Sequence, residues 1–234
     1  PCWSAMDLDA GRERFGLGTR DGKVWLPAEA DVSIRPGWFY HANQDNQVKP
    51  PAKLAEIYLA SVGRGANLIL NIPPDRRGRI HDNDIKSLAG FKQWMDGTFG
   101  KNLAAGGKCE AGNVRGNNDR KYGPANLQDD DPWSAWTTDD GITTPDVTIT
   151  LSTPVTFNVI RLREDIRSGQ RIEGVAVDAM VGDKWQQIAS AGNVGVCRLF
   201  RMNPVTTPLI RVRITKSAAC PMLSDVGLFL EQAK

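Results

Sequence analysis

The chain has 234 residues, 41% of them hydrophobic and 24% charged, the make-up of a folded globular protein rather than a disordered one. A net charge of +2, from 29 basic and 27 acidic residues, provides no cationic field for nucleic acid, and the apolar runs are too short to span a bilayer; neither nucleic acid nor membrane is expected as a partner. Cys2, Cys109, Cys197 and Cys220 show no metal-ligand spacing, which speaks against a zinc site and leaves Cys197 and Cys220 either as a disulfide across a sandwich or as buried thiols.

In chain order, the start Pro-Cys-Trp-Ser-Ala-Met-Asp7 has neither an initiating methionine nor the layout of a signal peptide, so the chain is expected to begin inside a longer protein. The run from Trp25 to His41 then mounts Glu29, Asp31 and Arg35 among Trp25, Trp38, Phe39 and Tyr40. Aromatic faces suit the apolar C–H side of a pyranose, and charged groups suit its hydroxyl rim, so the mixture fits a saccharide cleft. Read from the residues alone, Glu29 is either one half of an ion pair with Arg35 or Arg20 or a general acid. Trp25 and Trp38 are either sugar platforms or core plugs, and Arg35 is expected to orient Asp31 or Glu29. His41 and His81 are isolated and read as structural.

From Pro50 to Phe99 the periodicity predicts helix, strand, helix. Leu54, Ile57, Tyr58 and Val62 form one helical stripe; Ala66–Ile72 is an apolar run expected as a parallel strand covered on both faces. The second helix is expected to be capped by Asp82, to carry Ile85, Leu88, Phe91 or Trp94, and Met95 on one face, and to close at Gly97. Asp75-Arg76-Arg77-Gly78 lacks phosphate-loop spacing and is read as a loop fixed by charge pairs. After Leu103, Ala104–Lys108 reads as a flexible connector. Beyond it, 147–151, 157–162, 174–178, 209–214 and 226–230 alternate as the strands of a β-sandwich. Asp129-Asp130-Asp131 reads as a solvated acidic turn, with a calcium site as the alternative.

Two stretches resemble known families. W-x-P-x-E-x-D-x-S-I-R-P-G-W, from Trp25 to Trp38, is similar to a segment of retaining α-L-fucosidases, glycoside hydrolase family 29, in the subgroup acting on 1,3- and 1,4-linked fucose, and Arg64–Ile80 resembles that family's last barrel strand and the loop after it. Asn126-Leu-Gln-Asp129, Trp133 to Trp136, Gly169-Gln-Arg-Ile172 and Lys184-Trp185 resemble a discoidin-like, coagulation-factor type C domain. The resemblance implies an α/β plus all-β chain: residues 1–103 as the C-terminal part of a (β/α)8-like barrel, and residues 104–234 as a discoidin-like antiparallel β-sandwich. It further implies Glu29 as general acid/base, Trp25 and Trp38 as substrate-binding residues, no cofactor and no metal, and a nucleophile supplied by the rest of the barrel, since neither Asp7, Asp9 nor Asp31 matches that motif. A fucosylated oligosaccharide or glycoconjugate is the implied substrate, and a secreted or periplasmic location the implied setting. The competing reading is a non-catalytic carbohydrate-binding fragment.

Overall fold

The structure, a computed structural model, describes residues 27–232. Its first part is a β-α-β-α run. β1 (Glu29–Ser33) lies parallel to β2 (Asn67–Asn71), with Glu29 opposite Asn67 and Ser33 opposite Asn71, and α1 (Pro51–Ser61) crosses between them, as parallel neighbours require. Pro51 occupies the first turn of α1, where its missing N–H leaves no bond unmade, and Gly65 takes the left-handed φ of 82° that turns the chain into β2.

The strand differs from its expectation. Ala30, Val32, Leu68 and Leu70 are half-buried on one face, while Glu29, Asp31, Asn67 and Ile69 lie exposed on the other, Ile69 at 44%. β2 pairs with β1 alone among the described residues, so its other edge is unpaired there.

α2 (Asp82–Phe99) is also shifted from its predicted ends. His81 rather than Asp82 caps it, its Nδ1 accepting the Asn83 N–H at 3.2 Å, and the helix runs through Gly97 to Phe99. Its buried residues are Asp84, Ser87, Trp94 and Thr98, whereas Ile85 is half exposed. The two helices touch closely at Gly90, where an added Cβ would lie 2.6 Å from Pro51 Cγ. Gly90→Ala is therefore expected to destabilise the protein by about 1–3 kcal/mol in urea denaturation, despite the roughly 1 kcal/mol that alanine gains in an unobstructed helix.

The second part is one antiparallel sheet of β3 (Lys108–Ala111), β4 (Trp136–Thr137), β5 (Asp146–Glu164), β6 (Ile172–Val181), β7 (Lys184–Ala191), β8 (Arg198–Ser217) and β9 (Met222–Phe229). β5 and β8 pair twice, at 146–150 with 209–213 and at 155–162 with 198–207, and the register shifts between. The first stretch is flanked by β3, β6 and β7, the second by β9 and β4, so the long strands bend from one layer into another. Alternate side chains of both layers, including Val147, Ile149, Ile160, Leu162, Val177, Val212, Val226 and Leu228, meet in one apolar core around Trp136. Two strands expected as 147–151 and 157–162 are thus one bent strand. Pro154 lies at its shift, and Pro204 and Pro208 interrupt β8, which is where a ladder tolerates proline.

The connector reading is overturned. Ala104 is fully buried in the sandwich core, Asn102 Oδ1 accepts the N–H groups of Ala104 (2.9 Å) and Leu228 (3.0 Å), and Leu103 N–H donates to Leu228 O at 2.8 Å. A Cβ on Gly107 would approach Ile149 to 2.9 Å, so that glycine serves close packing rather than flexibility. Phe99 continues the contact, edge-on to Phe229 with ring centroids 5.2 Å apart and within 5.7 Å of Trp94. Cys109, Cys197 and Cys220 are all free thiols, so the disulfide alternative falls away. No helix among the described residues is long and apolar enough to cross a membrane.

Candidate active site

In parallel β-α-β units, ligands bind beyond the carboxyl ends of the strands, here the side of Ser33 and Asn71. There the I-R-P-G-W turn is tied down by short bonds. Ser33 Oγ donates to Gly37 O at 2.7 Å and accepts from Asn71 Nδ2 at 3.1 Å, and the same amide donates to Trp38 O at 2.9 Å. Lys49 Nζ donates to Ser33 O (2.6 Å) and Arg35 O (3.1 Å). The outcome is a rigid backbone that presents Trp38 half exposed and Phe39 almost fully exposed.

Arg35 supports this turn from below. Its side chain is wholly buried and forks onto the equally buried Asp84, Nε to Oδ1 at 3.0 Å and Nη2 to Oδ2 at 2.6 Å, while Nη1 meets Asp45 at 2.9 Å. The guanidinium lies 4.8 Å from the Tyr40 ring centroid. Tyr40 Oη donates to Asp45 Oδ2 at 3.2 Å, and His81 Nε2 lies 3.4 Å from the same oxygen. Because His81 Nδ1 already accepts the Asn83 N–H, the ring's donor is Nε2. Burial raises the Tyr40 phenol, and the Asp45 carboxylate adds to the shift. Arg35 therefore does not orient Asp31 or Glu29 as expected; its partners come from α2 and the loop before α1. His41 gives the network only its carbonyl, at 3.5 Å from Arg35 Nη1.

Glu29 lies elsewhere. It begins β1, opposite Asn67, on the exposed face shared with Asp31. At about 3.3 Å per residue it stands roughly 13 Å along the strand from Ser33, at the amino end. Trp25 lies outside the described residues, as do Asp7 and Asp9.

The loop after β2 is clipped as read from its charges. Arg77 donates to Asp75 through Nε (3.0 Å), Nη2 (2.7 Å) and its own N–H (2.8 Å), and these bonds hold the carboxyl at a pKa of about 2. In the acidic turn, Asp129 accepts the Asp131 N–H (3.0 Å) and the Ser134 hydroxyl (2.7 Å), and Asp131 accepts the Trp133 N–H (2.8 Å). No group of three or more metal-ligating side chains occurs among the described residues. The sequence reading missed Asp84, Asp45, Lys49 and Asn71. A signal for Asp84 existed: with Ser87, Trp94 and Thr98 it falls on the buried side of α2, and a charge there calls for a buried partner.

Fold and site define a β-α-β-α unit with an exposed aromatic turn at its carboxyl end, followed by an antiparallel sandwich. A family model for α-L-fucosidase matches residues 9–98. The chain is 33% identical to Alpha-L-fucosidase 1 of Arabidopsis thaliana, over 99% of this chain and 47% of that protein, and 36% identical to an Oryza sativa subsp. japonica protein over 98% and 46%. Among solved structures, a Ruminococcus gnavus family 29 fucosidase in complex with fucose superposes with a TM-score of 0.86 at 31% identity, covering 92% of this chain and 43% of that one. The structure named SpGH29 gives 0.84 at 38%, covering 92% and 46%. By sequence and by fold the chain is similar to α-L-fucosidases, including solved family 29 enzymes, and it spans about half the length of the curated relatives it matches.

Proposed function

We propose that the chain is the C-terminal part of a retaining α-L-fucosidase that hydrolyses 1,3- or 1,4-linked fucose from fucosylated oligosaccharides or glycoconjugates, in a secreted or periplasmic setting. Residues 1–103 would complete a (β/α)8-like barrel with upstream sequence, and residues 104–234 would form a discoidin-like sandwich. The observation that carries the proposal is Trp38, whose half-exposed ring stands at the carboxyl ends of β1 and β2 on a turn pinned by Asn71 and Ser33. A ring carried on a backbone held in this way is placed to stack on the apolar face of fucose with little backbone ordering left for binding to impose.

Retention needs two carboxyl groups about 5–5.5 Å apart, one forming a covalent fucosyl-enzyme, the other protonating the departing oxygen and later deprotonating water. The nucleophile is assigned to upstream sequence. The motif nominates Glu29, on the first strand, as the acid/base, and the proposal takes that reading. In the complete protein, Trp38→Ala is expected to lower kcat/KM for fucosides by about 10–100-fold with an unchanged melting temperature. Glu29→Gln is expected to slow hydrolysis of natural fucosides by about 10²–10⁴-fold while sparing aryl fucosides with good leaving groups, and equal losses on both substrate types would overturn the assignment. A fucose-based covalent trap should label a carboxylate outside residues 1–234; fucose binding without turnover by the complete protein would favour the non-catalytic reading.

A further inference from the structure

Where α1 and α2 meet the end of the sandwich, a cavity of about 360 Å³ opens past Trp133, which is 68% exposed, with Tyr58, Phe99 and Leu199 among its apolar walls. Its charges are matched but for one. Arg161 forks onto Asp225 (2.6 and 3.0 Å), Arg167 forks onto Asp165 (2.8 and 2.6 Å), and Glu164 accepts three backbone N–H groups, from Arg171, Ile172 and Gly195. Arg163 lines the same cavity half-buried, together with the Cys197 thiol, which burial keeps in its neutral form. Asp225, opposite Arg163 in the strand register, is taken up by Arg161, and no salt bridge joins the Arg163 guanidinium to a carboxylate among the described residues. A planar fork of donors of this kind is satisfied by a carboxylate in bidentate geometry.

The mouth adds an aromatic surface fixed in place. The Trp133 N–H is held by Asp131 Oδ1, its carbonyl accepts from Arg167 Nη2 at 2.7 Å, and the Arg167 guanidinium lies 5.0 Å from its ring centroid. One cation, apolar walls and an anchored indole form a combination that neither a simple anion nor a neutral sugar uses fully.

We propose that this cavity binds a hexuronic acid residue of a glycan, its carboxylate on Arg163 and its ring against Trp133. The volume suits a single compact pyranose, and the inference stands apart from the fucosidase reading, since it uses none of the residues around Trp38. Titrating the full chain with methyl β-D-glucuronide, methyl β-D-glucoside and sodium acetate, followed by ligand-observed NMR, tests it. The glucuronide is expected to bind at least about 10-fold more tightly than either other probe, the effect of one charge-assisted pair. Arg163→Met should abolish that preference, and Trp133→Ala should weaken both sugars while leaving acetate unchanged. Arg163→Lys keeps the charge without the fork and should retain part of the preference, which provides a reading if the methionine variant fails to fold. Equal affinity for glucoside and glucuronide, no saturable glucuronide binding, acetate binding as tightly as the glucuronide, or an undiminished preference in Arg163→Met would each overturn the proposal.

Discussion

Replacing Asp84 by alanine is expected to lower the unfolding free energy by about 3–5 kcal/mol, the cost of leaving a buried charge without its partner. Neither Arg35 nor Asp84 has exposed side-chain surface, and two of the guanidinium's bonds end on Asp84. Asp45, on the third nitrogen, is partly exposed and holds Tyr40 and His81 as well, so it cannot replace the lost acceptors. Urea titration of the wild type and Asp84→Ala measures the loss. Because the pair is shielded from solvent, the difference should persist at 0.5 M salt, where an exposed ion pair is screened within roughly 4–5 Å. A change below about 1 kcal/mol would show that the turn bearing Trp38 stands without this support.

Glu164→Ala is expected to cost at least about 3 kcal/mol, because it strips the acceptor from three N–H groups at about 1–3 kcal/mol each. The carboxylate joins the segment before β6 to the one before β8 through Arg171 N (2.6 Å), Ile172 N (2.9 Å) and Gly195 N (3.1 Å). Burial pushes its pKa up to about 7 from an ordinary 4.5, and the three donors only partly oppose that shift. Folded protein therefore keeps a proton that the unfolded chain has released, and stability should fall as pH rises from about 4.5 to 7, by about 3 kcal/mol at most. Asp165 acts in the opposite sense and in a different window: its Arg167 fork depresses its pKa, so its contribution is lost as pH falls below the ordinary carboxylate range. Denaturation midpoints across pH 4–8 should show the falling slope in the wild type and not in Glu164→Ala.

Local periodicity carried much of the fold. The stripe from Leu54 to Val62, the apolar run at Ala66–Ile72 and the strand alternation after residue 147 each stand where regular elements occur. Errors arose where a distant contact decides the outcome. Ala104–Lys108 looks flexible by composition, yet Asn102 and Leu228 hold it in the core, and nothing within five residues announces a partner 126 positions away. Arg35 has the same history: acidic neighbours lie nearby in sequence, but its principal acceptor is 49 residues on. For the site, local pattern identified the aromatic turn and not its geometry. Glu29 and Trp38 share one motif, in which Glu29 begins the first strand and Trp38 lies on the turn after it.

That α2 runs unbroken from Asp84, beneath the aromatic turn, to Phe99, at the cavity wall, makes it a ruler between the two places. At 1.5 Å per residue the span is about 22 Å. A free monosaccharide cannot touch both ends at once, so each place discriminates small sugars independently. Under the two proposals above, a long or branched glycan carrying fucose at one tip and an acidic residue further back would engage both, its second contact forming at the local concentration set by the first. Selectivity of that kind depends on the spacing within the glycan rather than on either sugar alone.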